Sequence, residues 1–111
     1  MSKATYWQRG ESIDFLNETA HLIEANTVVV LGERIGIAGT DIPAHEKGSL
    51  HVTGVYKFPK AGATDIKPGD VVYWDNSAGN ITKTVGSNKV AGFAVEAAAT
   101  EAATVTVKIN A

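Results

Sequence analysis

Thr27-Val28-Val29-Val30-Leu31, then Gly32-Glu33, then Arg34-Ile35-Gly36-Ile37-Ala38, is the stretch whose reading decides the fold. The opening run is mostly β-branched, and it is too short for a helix of ordinary length. Its stiff side chains suit a pleated surface, which predicts a buried strand. Gly32-Glu33 turns the chain, and Arg34 to Ala38 reads as the returning strand. After a loop over Gly39 to Gly48, the chain extends again from Ser49 to Phe58. Leu50, Val52 and Val55 are expected to face a core there, with His51 and Thr53 outward and Gly54 at a bulge. Three successive strands predict a β-meander that the rest of the chain closes into a barrel or sandwich.

Working outward, Ala4 to Gln8 has strand-like content, Arg9-Gly10-Glu11 turns it, and Ser12 to Asn17 partly alternates as a second strand. Residues 1–20 also suit an extended N-terminal arm. Glu18 to Ala25 reads as an irregular lead-in. Downstream, Lys67-Pro68-Gly69-Asp70 is a turn in which proline presets φ and glycine accepts a positive φ. It launches Val71-Val72-Tyr73-Trp74, followed by short strands over Ile81–Val85, Val90–Val95 and Thr104–Ile109. Ala97 to Ala103 is helix-forming by composition, but a helix that short is marginal alone, so it reads as a connection. Thr40-Asp41-Ile42 and Thr64-Asp65-Ile66 form an internal echo, each a turn that launches a strand; reuse of turn chemistry accounts for it. The expectation is one mainly β domain over 1–111, built from short strands and hairpins, with at most one or two short helices.

The chain has 111 residues, a charged fraction of 20%, a formal net charge of −2 and no cysteine. That length supports one core. The charge gives no electrostatic case for a nucleic acid or an anionic membrane as main partner. Without cysteine there are no disulfides, thiolate metal sites or thiol nucleophiles. No apolar segment approaches the roughly 20 residues of a membrane span. The first residues lack the apolar core of a signal peptide, which predicts a protein made in the cytoplasm.

No constellation of catalytic groups stands out. Gly32 to Gly39 is glycine-rich, but it leads into a strand, whereas a dinucleotide loop leads into a helix, and the chain has no Gly-Lys-Ser/Thr triplet. His21, His45 and His51 share no ligand spacing. Ser49 and His51 fall on one strand face without an acidic partner. Asp65, Asp70 and Asp75 sit at turns, where aspartate serves local hydrogen bonding. The sequence therefore predicts a protein that is not an enzyme and takes no cofactor or metal. The aromatics are more informative. Tyr6 with Trp7, and Tyr73 with Trp74, are adjacent pairs; neighbours on a strand point to opposite faces, which makes all four candidate interface residues.

These residues also carry a family resemblance. Val28-Val29-Val30-Leu31-Gly32, Ile35-Gly36-Ile37-Ala38, Val52-Thr53-Gly54-Val55, Phe58-Pro59-Lys60, Gly69-Asp70-Val71-Val72-Tyr73-Trp74, Gly92-Phe93-Ala94-Val95 and Val105 to Ile109 resemble the phage and prophage capsid cement, or head decoration, proteins. The resemblance runs along nearly the whole chain, on apolar and glycine positions. Similar proteins have also been labelled RecA/RadA-type recombinases, a label that the missing phosphate loop and the short chain argue against. The resemblance implies a β-rich virion protein, assembled in the bacterial cytoplasm. It would bind the outside of the head as a homotrimer and bridge subunits of the major capsid protein. The competing reading is a small β-barrel module for a ligand or nucleic acid, against which the acidic balance counts.

Overall fold

The computed structural model describes residues 2–111. Among these residues nine strands form two antiparallel sheets. The first sheet contains β1 (Ser12–Leu16), β2 (Val28–Leu31), β3 (Arg34–Ala38) and β4 (Lys47–His51), in the order β1-β4-β3-β2. The second contains β5 (Val55–Pro59), β6 (Val71–Asp75), β7 (Asn80–Thr82), β8 (Lys89–Ala94) and β9 (Thr104–Ile109), in the order β5-β9-β8-β6-β7. The described residues contain no helix, and the sheets pack as a sandwich rather than closing into a barrel.

The meander from Thr27 onward is present as β2, β3 and β4, but three local expectations change. Ser49 to Phe58 is not one strand: β4 ends at His51, and Val55 begins β5 in the other sheet. Gly54 lies in the crossover with φ +121°, a conformation open to glycine, and Val55 faces outward. Ala4 to Gln8 forms no strand, because strand propensity without a hydrogen-bonding partner does not make one. The strand expected over Ile81 to Val85 stops at Thr82, whose Oγ1 accepts the Thr84 N–H and turns the chain.

The two sheets are one motif used twice. β1, β2, β3 and β4 correspond to β5, β6, β8 and β9, with identical neighbours, and β7 is added at the edge of the second copy. The internal echo does not mark this repeat: Ile66 is the counterpart of Ile23, and Ile42 that of Ala98, so the echo joins two launching turns at different places in the two halves. Ile23 and Ile42 exchange a pair of backbone hydrogen bonds in the first half, as Ile66 and Ala98 do in the second. Each of these four residues is followed by a tight turn closed by a backbone bond, Thr27 to Glu24, Glu46 to Pro43, Asp70 to Lys67 and Ala102 to Ala99. Asn26, His45 and Gly69 occupy the same place in the first three turns, at φ of +71°, +64° and +89°, as a type II turn requires. The alanine-rich segment is thus the fourth copy of this launching turn.

The faces of the two halves are used differently. Val28, Val30, Ile35 and Ile37 share one face of the first sheet, fixed by the pairings Val28–Ile37 and Val30–Ile35. That face packs on the second sheet's inner face, where Phe58, Val72, Trp74, Val105 and Val107 form the main core. Full burial of a side chain such as Phe58 contributes about 2–3 kcal/mol. Ile42 and Leu50 are buried separately, on the opposite face of the first sheet. Asn110 ties the halves together: its Nδ2 donates to the carbonyls of Ile35 and Val52 at 2.8 and 2.7 Å.

Candidate functional site

The titratable groups singled out in the sequence make local contacts within and between the halves. His51 Nδ1 is 2.7 Å from Ser12 Oγ, and its ring stacks on Tyr56 at a centroid distance of 6.5 Å. Burial pushes the Tyr56 hydroxyl above its ordinary pKa. Ser49 pairs across with Asp14, two register steps from the Ser12–His51 pair. His21 and His45 are exposed in loops. Among the described residues no group of three His, Cys, Asp or Glu side chains is placed to hold a metal.

Gly32 to Gly39 forms the β2–β3 hairpin, with no helix N-terminus behind it for a phosphate. Asp70 accepts the Lys67 N–H at 2.9 Å and an ion pair from Lys83 at 3.2 Å; the backbone bond first, then the lysine, holds its carboxyl below the usual range. An open cleft of about 240 Å³ lies between the sheets beside Val30, Trp74, Asp75 and Lys89. Trp74 Nε1 donates into its wall, to Asn76 Oδ1 at 3.0 Å.

The aromatics predicted as an interface divide. Tyr6 and Trp7 stand 81% and 88% exposed on the unpaired segment ahead of β1. Trp74 turns inward, 7% exposed and tilted against Phe58, while Tyr73 looks outward, half-buried. Around Tyr73 the structure gathers residues that sequence reading missed. Val71 pairs with Phe93 and Tyr73 with Val90, and the row continues through Lys108 to Val55 at the edge. Val55, Val71 and Val90 are exposed. The alternation Val71–Tyr73 was a signal, but joining it to Phe93 and Val55 required the strand order.

The β-sandwich thus presents exposed apolar and aromatic side chains, among them Tyr6, Trp7, Val55, Val71 and Val90. The family model described as phage cement protein matches residues 7–109, and the chain belongs to that family. No curated protein and no solved structure matches it. Membership gives the protein a structural, phage capsid-associated role in the virion, and nothing in the match supports the recombinase label.

Proposed function

We propose that this protein binds the exterior of a phage or prophage head and bridges neighbouring major capsid subunits, as a homotrimer and without catalysis. The observation that carries the reading is the cement-family match over residues 7–109. The exposed Tyr6 and Trp7 support it, as large rigid side chains of the kind that anchor protein interfaces. Binding only the assembled head stabilises that state by mass action, and the added contact area resists expansion from within. Assembly would take place in the bacterial cytoplasm, on heads already formed.

Mixing the purified protein with expanded heads and sedimenting them tests this. The expected result is saturable co-sedimentation, with a plateau at a fixed ratio to the major capsid protein. Protein left in the supernatant at micromolar concentration would contradict it.

A further inference from the structure

The repeat leaves two complementary faces open. Inside the chain, the outer face of the first half covers the inner face of the second. The outer face of the second half has no such cover. There Val55, Val71, Tyr73 and Phe93 stand where the first half has Ser12, Val28, Val30 and Ile37; Val71 is 54% exposed whereas Val28 is half-buried, and Phe93 is half-buried whereas Ile37 is buried. The inner face of the first half is likewise incompletely covered. Ile13, Phe15, Val29 and Leu31 are half-buried, whereas Phe58, Val72 and Trp74, which correspond to Phe15, Val29 and Leu31, are buried.

We infer that a second copy of this chain docks head to tail, the outer face of one copy's second half on the inner face of the next copy's first half. The contact would repeat between chains the one already made within the chain. Such a contact is heterologous, because the two surfaces differ, and it closes into a ring when the rotation allows. It supplies surfaces for the self-association proposed above but rests on the fold alone. Ring formation and capsid binding therefore succeed or fail separately.

The internal contact predicts a specific pair. His51 of the first half stacks on Tyr56 of the second. In the repeat His51 corresponds to Lys108 and Tyr56 to Ile13, as the pairings Ser12–His51 and Val55–Lys108 show. Lys108 of one copy should therefore meet Ile13 of the next. The chain has no cysteine, so Ile13→Cys and Lys108→Cys report this contact without background.

Each single variant is oxidised alone and the two are oxidised as a mixture, at high protein concentration. The expected result is a disulfide-linked pair holding one of each variant, at least tenfold above the product from either alone. Equal cross-linking in the single variants would mean a symmetric contact and would overturn the inference, as would no mixed product. Val71→Glu, at an exposed position, is the arm that does not depend on Ile13→Cys folding. It should shift the sedimenting oligomer to monomer with an unchanged circular dichroism spectrum. A native chain already monomeric at that concentration, or an unaltered oligomer in Val71→Glu, overturns the inference. Loss of head binding in Val71→Glu without mixed cross-linking would assign the face to the capsid and overturn it too.

Discussion

Asn17 and Lys60 hold equivalent positions in the two halves of the sandwich and do the same work with different chemistry. Each follows the first strand of its half, and each is buried. Asn17 Nδ2 donates to the carbonyls of His21 and Ile42 at 2.8 and 2.9 Å, while its Oδ1 accepts from the Thr19 N–H and hydroxyl. Lys60 Nζ donates to the carbonyls of Ala61, Thr64 and Thr100 at 2.8, 2.6 and 3.2 Å. His21 and Thr64 are counterparts, so both side chains pin the same loop beneath the paired launching turns.

Removing either plug leaves carbonyls without partners. Lys60→Ala and Asn17→Ala are each expected to lose about 2–4 kcal/mol of stability, since an unmade bond to a buried polar group costs the full desolvation of that group. Urea denaturation of the two variants measures this. Lys60→Arg should lose less than Lys60→Ala, because some donors are kept.

Gly92 allows no side chain. Its φ is +149°, and a Cβ there would lie 1.9 Å from the Lys108 carbonyl oxygen. Gly92→Ala must separate β8 from β9, and the expected loss is more than about 3 kcal/mol. Gly86→Ala, at φ +45° with open space around it, is expected to cost only about 1 kcal/mol. Thermal melts of the two variants should differ by many degrees.

Asp70 gives the fold an acid dependence of known sign. Its folded pKa is lowered, by the Lys67 N–H first and then by Lys83. Its contribution is therefore present above the unfolded carboxylate pKa, about 3.9, and is lost as pH falls through the lower folded value. Asp70→Asn should melt below the native chain at pH 7, and the gap should close as pH drops below 4. A gap constant from pH 7 to pH 2 would show that the carboxylate does not act through its charge.

Tyr6 and Trp7 are expected to matter for binding and not for folding. Tyr6→Ala with Trp7→Ala should leave unfolding free energy within about 0.5 kcal/mol, as substitutions at exposed positions usually do. The same variant should weaken association with heads at least tenfold. Unchanged association would move the capsid contact elsewhere.

Much of the fold was legible because it was written locally. β3 and β9 follow from alternation, and Lys67-Pro68-Gly69-Asp70 reads as its turn because proline and glycine each have a fixed backbone preference. The other turns of the set hide the same geometry behind Asn26 and His45, which reach positive φ without glycine. The repeat was therefore not legible, and the three-residue echo joined Ile42 and Ile66, which are not counterparts in it. The break between β4 and β5 was not legible, since which sheet Val55 joins depends on its pairing with Lys108, far along the chain. The same long-range pairing made the Val71–Phe93 face invisible, whereas the aromatic pairs were legible as residues and only partly as positions. Alternation required Tyr73 and Trp74 to part, but it did not say which one enters the core.

The central claim, attachment to the outside of the head, is tested most directly by electron cryomicroscopy of heads saturated with the purified protein. Added density is expected on the outer surface, spanning neighbouring major capsid subunits, that accommodates the two-sheet sandwich with the segment bearing Tyr6 and Trp7 toward the shell. Heads without added density, or density confined to the interior, would contradict it.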